Sequence, residues 1–226
     1  MTPLTSRLSL LTYLVDMSPL ETLGFALGTS FASGLNLYAT VAAAGLMQRL
    51  GVVHLPDTLQ VLSHPIVLGV AITLFLVEFI ADKIPYVDSA WDALHTFIRP
   101  PAAMVLSYSA FGDVAEEYKI GAALLAGSVA LTSHGAKASA RAAANTSPEP
   151  VSNWALSILE DGLAVFLVWM AAEYPLLTAA IVVVLVVVAV LLIRKLWRFG
   201  VQLGQKFRRA RTKLKDEGTN GTPDTG

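Results

Sequence analysis

An all-α integral membrane bundle of about six transmembrane helices is the fold this 226-residue sequence predicts, and three observations predict it. The chain is 54% hydrophobic and only 15% charged, whereas a soluble domain carries about a quarter charged residues. Its apolar residues gather into runs near the roughly 20 residues that a 30 Å hydrocarbon layer asks of a helix. Its cations are set apart: nine of the sixteen Lys and Arg lie within residues 194–215, which by the positive-inside rule places the C-terminus in the cytoplasm.

Residues 1–18 form an N-terminal segment. Arg7 precedes a short apolar run, but Asp16 and Pro19 follow without a small-residue cleavage site, so it makes a poor signal peptide. Two readings stand: a loose interfacial segment, or residues ahead of a true start at Met17. The transmembrane domain, 19–199, opens on Ser18-Pro19-Leu20-Glu21. Serine caps the helix, proline suits its first position, and a glutamate three residues on completes a capping box. The first run continues to residue 49, and further runs cover 65–84, 100–112, 120–145, 152–172 and 175–199. The run at 100–112 is the shortest and reaches full length only by taking in 96–99 or by tilting. Ahead of it, Val87, Trp91, Leu94 and Ile98 share one helical face and Asp88, Asp92 and His95 another. That is the pattern of a short amphipathic helix at the interface.

Six spans put both termini in the cytoplasm. Lys83, Arg99, Lys137 and Arg141 then fall on the inner side, with Arg49 and Lys119 outside among Asp57, Asp113, Glu116, Glu117 and Glu173. This agrees with a multi-pass protein of a cytoplasmic (inner) membrane. The tail, 200–226, is basic and then, from 216, of disordered composition. There is no cysteine and the net charge is −1, so disulfides and thiolate sites are excluded and bulk charge points to no nucleic acid.

The first run would be about 46 Å long if wholly helical, and its middle is polar: Gly28-Thr29-Ser30 through Gly34-Leu35-Asn36 to Thr40. The fourth run has the same character around Ser133-His134-Gly135-Ala136-Lys137. Aligning Gly34 with Gly135 sets Asn36 on Lys137 and Thr40 on Arg141. Read as helix breaks, Gly34 and Gly135 would mark two inverted three-helix repeats, an arrangement that exposes backbone groups at mid-membrane in transporters. The same small residues also serve close helix packing with no substrate.

Charges at bilayer depth cost about 2.5–3.5 kcal/mol each even on the mild insertion scale, so they face inward and pair. Glu78 and Asp82 share a face of the second helix, Glu160 and Asp161 lie on the fifth, and His134, Lys137 and Arg141 on the fourth. Lys83, Arg99, Lys137 and Arg141 are the partners on offer. Either these groups form a structural ion-pair network, or Asn36, Thr40, Glu78, Asp82, His134, Lys137, Arg141, Glu160 and Asp161 line a polar pathway in which Glu78 or Glu160 takes up a proton or cation. A hydrated cavity distinguishes the second reading; full capping by partners distinguishes the first. No compact ligand motif makes a metal site of the acids and His134, and no cofactor motif, nucleophile elbow, P-loop or HExxH is present, so nothing argues for an enzyme. His54 and His64 read as loop or capping residues.

Several longer stretches carry a resemblance: Ser33-Gly34-Leu35-Asn36-Leu37-Tyr38-Ala39-Thr40, Val77-Glu78-Phe79-Ile80-Ala81-Asp82-Lys83-Ile84-Pro85, Asp88-Ser89-Ala90-Trp91-Asp92, His95-Thr96-Phe97-Ile98-Arg99-Pro100-Pro101, Ser133-His134-Gly135-Ala136-Lys137, Asn145-Thr146-Ser147-Pro148-Glu149-Pro150 and Glu160-Asp161. Over residues 20–175 the chain resembles a family of bacterial multi-pass membrane proteins catalogued as domain of unknown function 4126 (DUF4126). The resemblance implies a membrane protein and supplies no activity or substrate. The partners expected are the lipid bilayer and, at the basic tail with its interleaved Leu196, Trp197, Phe199, Val201, Leu203 and Phe207, anionic lipid; a homo-oligomer is compatible with the sequence. The functions to decide between are a small transporter or channel and a membrane structural or lipid-interacting protein.

Overall fold

The computed structural model describes residues 17–84, 87–144 and 150–219. The segment 1–16, the motif residues 145–149 and the end 220–226 lie outside it. Among the described residues the regular structure is wholly helical: α1 (Pro19–Leu35), α2 (Leu37–Arg49), a 3₁₀ helix (Asp57–Ser63), α3 (Pro65–Ala81), α4 (Val87–His95), α5 (Arg99–Ala110), α6 (Glu116–Ala144), α7 (Pro150–Glu173) and α8 (Pro175–Thr219).

Local chemistry sets several of these ends. The capping box is formed: Glu21 N–H donates to Ser18 Oγ at 3.3 Å, and Ser18 N–H to Glu21 Oε2 at 2.8 Å. His64 caps α3, its Nδ1 accepting from Ile66 N–H at 3.3 Å, and Pro65 follows at the first helical position. After α5 the chain turns through Gly112, whose φ of 50° suits glycine.

Helix α1 is the axis of the bundle. It packs against α5, α6, α7 and α8, and from Gly28 to Leu35 every residue is buried. Close approach requires its small residues. A Cβ on Gly24 would run into the Pro175 carbonyl, one on Gly28 would meet the Thr178 and Ala171 side chains, and one on Gly34 would strike Ser133 Oγ and the Ala130 carbonyl. The hydroxyls inside this packing bond to their own helix, Thr29 to the Phe25 carbonyl at 2.9 Å and Ser30 to the Ala26 carbonyl at 2.5 Å. Around this axis the outward surface is apolar: Ile66, Val70, Leu76 and Ile80 on α3, and Val183, Val184, Val187 and Val188 on α8, are all more than half exposed. A water-soluble bundle reverses that distribution.

Among the described residues, two helices are long and apolar enough to cross a membrane alone, at Trp154–Glu173 and Pro175–Gln202, and a third crossing results if the 3₁₀ helix and α3, bent by 65°, act together. This is fewer than the six runs. The first run is divided into α1 of 17 residues and α2 of 13, α5 has 12 residues and reaches only about 18 Å, and the 29-residue α6 carries Lys137 and Arg141 within it. The tail also differs from expectation, since α8 continues unbroken through residue 219, past the proposed disorder boundary at 216.

Candidate functional site: a buried charge cluster at a helix break

The break in the first run falls at Asn36, whose extended backbone (φ −150°, ψ 105°) separates α1 from α2. Asparagine suits this place because its side chain replaces the lost helical bonds. Oδ1 accepts from Ala39 N–H at 2.8 Å, capping α2, while Asn36 N–H still donates to the Ala32 carbonyl at 2.9 Å. Thr40 Oγ1 donates to the Asn36 carbonyl at 2.8 Å, and Asn36 Nδ2 donates to Asp161 Oδ1 at 2.8 Å. Gly34 is therefore a packing residue in the last turn of α1 and not the break itself. Gly135 is no break either. α6 runs continuously through it, and a Cβ there would meet Ile193 of α8 at 3.3 Å. A glycine weakens a helix interior without interrupting its hydrogen bonds, so the expected pair of matching breaks reduces to one.

What the break leaves open is the negative end of α1. Two buried cations fill it. Arg99 Nη1 donates to the carbonyls of Gly34 and Leu35 at 2.8 and 2.9 Å, and Lys137 Nζ to that of Leu35 at 3.0 Å. Arg99, at the start of α5 before Pro100-Pro101, also holds Glu78 Oε1 at 2.5 Å and stands 3.8 Å from Asp92. Lys137 lies 3.2 Å from Glu78, 3.4 Å from Asp82 and 3.7 Å from Glu160. Arg141, one helical turn further along α6, binds Glu160 at 2.6 Å, Asp82 at 2.7 Å and Asp88 at 2.8 Å. His134 accepts from Arg99 at Nδ1 (2.9 Å), which leaves Nε2–H to donate to the Asp92 carbonyl at 3.0 Å. All nine residues expected to line a polar pathway thus meet in one region, together with Arg99, Asp88 and Asp92.

Helix α4 supplies the last two acids. Asp88, Asp92 and His95 are buried, whereas Val87, Leu94 and Phe97 are exposed. Its polar face thus points into the protein and its apolar face outward. The periodicity was legible, but the same two-faced pattern serves a helix on a water-facing core and one facing lipid. Lys83 makes no close ion pair among the described residues, although the charges of Asp161 and Asp82 act on it. Its Nζ donates to the Phe79 carbonyl at 2.8 Å and sits over the Phe79 ring, 2.9 Å from the centroid.

Charge does not balance here. Among the described residues, the six buried carboxylates of Glu78, Asp82, Asp88, Asp92, Glu160 and Asp161 face three cations, Arg99, Lys137 and Arg141, all at most 9% exposed. Glu78 Oε2, Asp82 Oδ1, Asp88 Oδ2, Asp161 Oδ2 and both oxygens of Asp92 receive no hydrogen bond from the described residues. An uncompensated buried carboxylate is costly enough that the group takes up a proton instead. Among the described residues, no three acid or imidazole side chains are placed to hold a metal ion together.

Burial drives the Asp92 carboxyl above the ordinary aspartate range, against the pull of Lys137 and Arg99. The folded chain therefore keeps a proton that the unfolded chain releases near pH 3.9. Stability contributed by this group is present at acid pH and is lost as pH rises through the folded pKa. Asp92→Asn is accordingly expected to flatten the decline in thermal stability that runs from the unfolded to the folded pKa, and to raise stability above it. A set of melting curves across pH checks this, and an unchanged pH slope would contradict it.

No curated protein and no solved structure shows significant similarity to the chain. The family model of the domain of unknown function DUF4126 matches residues 23–195, from α1 to the end of the apolar part of α8 and including every residue of the cluster, and the chain belongs to that family.

Proposed function

We propose that the chain is a multi-pass protein of a bacterial cytoplasmic membrane that carries protons through the buried cluster. The surplus of carboxylates over cations carries this reading. A purely structural ion-pair network is served by balanced charge, because each unmatched carboxylate in a low-dielectric interior costs free energy. A proton is the smallest carrier of compensating charge and needs no ligand cage. In this reading Arg99, Lys137 and Arg141 hold the acids in register, Glu78 and Glu160 exchange the charge, and Asn36 and Thr40 tie the broken helix to Asp161. Repeated apolar runs and the basic C-terminal segment support several crossings with the C-terminus in the cytoplasm.

A second reading is favoured by a specific observation. Asn36, Glu78 and Glu160 are each bonded to partners, and the end of α1 is filled by Arg99 and Lys137. On this view the cluster is a fixed clamp that fastens a broken helix inside a membrane protein. Proton flux into proteoliposomes separates the two. The first reading expects wild-type flux that is lost in Glu78→Gln or Glu160→Gln while the protein stays folded. Absence of wild-type flux, with both variants losing thermal stability, would leave the clamp.

A further inference from the structure

Helix α8 carries no charged residue from Pro175 to Ile193, and its first cations are Arg194, Lys195 and Arg198. At 1.5 Å per residue, about 20 residues cross a 30 Å hydrocarbon layer, so these three cations arrive where the headgroups begin. All three are exposed, as are Trp197 at 75% and Phe199 at 58%. With Leu191 and Gln202, the three cations and Phe199 line a shallow groove of about 420 Å³. Among the described residues none of the three forms an ion pair with an acid, and the sequence from 174 to 215 contains nine cations and no Asp or Glu.

We propose that this segment of α8 is a binding surface for anionic phospholipid headgroups, with Arg194, Lys195 and Arg198 on the phosphates and Trp197 and Phe199 in the interfacial layer. Charge complementarity selects the occupant. An exposed cationic group on an apolar helix sits at the level of lipid phosphates, and long basic side chains reach that level while their stems stay on apolar surface. The Trp197 ring, with its polar N–H edge, favours the same depth, and Phe199 lies beside it in sequence on the same helix. Because α8 continues as helix through residue 219, the remaining cations of the segment follow on the same helix. The inference rests on α8 crossing the membrane.

The full chain in nanodiscs of mixed phosphatidylcholine and phosphatidylglycerol, followed by native mass spectrometry of retained lipid, tests the proposal. Wild-type protein should keep phosphatidylglycerol in preference to phosphatidylcholine. Arg194→Gln, Lys195→Gln and Arg198→Gln together should reduce that retention roughly tenfold or more, whereas Arg194→Lys with Arg198→Lys, which keeps the charge, should preserve it. No preference in the wild type, or equal retention in the triple Gln variant, overturns the proposal, as does capture of an acidic protein or nucleic acid in place of lipid. Release of the chain from membranes by alkaline carbonate would instead refute the crossing by α8, and with it the premise.

Discussion

Arg141→Met should destabilise the protein by about 3–5 kcal/mol, the cost of removing one partner from a buried ion-pair group. Arg141 is 1% exposed and holds Asp82, Asp88 and Glu160 at once, so its loss leaves Asp88 without its cation and leaves Asp82 and Glu160 to the more distant Lys137. The sign with pH follows from charge: protonated acids need no guanidinium, so the loss should be greatest at alkaline pH and shrink on acidification. Adding Asp82→Asn and Glu160→Gln should restore part of the stability, since a neutral replacement of the whole group avoids the unpaired charges. Unfolding of the purified chain in detergent across pH measures all three. A loss independent of pH, or no restoration by the amides, would mean that Arg141 acts through packing alone.

Arg99→Ala should cost a similar amount, for an additional reason. Its guanidinium joins Glu78 to the two carbonyls at the end of α1 and to His134. Removal leaves Glu78 to Lys137 alone, takes from Asp92 its nearest cation, and deprives the Gly34 carbonyl of the Arg99 donor, a loss worth about 1–3 kcal/mol when buried. Arg99→Lys should recover only a fraction, because an ammonium cannot serve the carbonyls, Glu78 and His134 with the planar fork of a guanidinium. Equal stability of Arg99→Lys and wild type would show that charge alone matters at this position.

Much of this arrangement was legible before the fold. Ser18 and Glu21 announced the start of α1, His64 and Pro65 the start of α3, and the apolar runs gave α7 nearly to its ends and the start of α8. The charged residues of several runs were expected to pair, and they do. Three features were hidden for identifiable reasons. The sequence points to Gly34 as the break because glycine is the usual interrupter, yet Asn36 can both end one helix and cap the next, and the signal for it is the asparagine itself, a favoured N-cap residue. Gly135 looked equivalent in sequence, but the need there is room for Ile193, not freedom of the backbone. The inward turn of Asp88 and Asp92 could not be read from α4 alone, because the direction of an amphipathic helix depends on whether water or lipid lies outside it.

That inward turn brings the acid surplus into the cluster, and the surplus is the centre of the account. The most direct measurement is infrared spectroscopy of the full chain in lipid at neutral pH, with isotope-labelled aspartate and glutamate. The account predicts a carbonyl band of protonated carboxylic acid at neutral pH that is reduced by Asp92→Asn. A spectrum showing only ionised carboxylates would contradict it and leave the fixed clamp as the reading of the cluster.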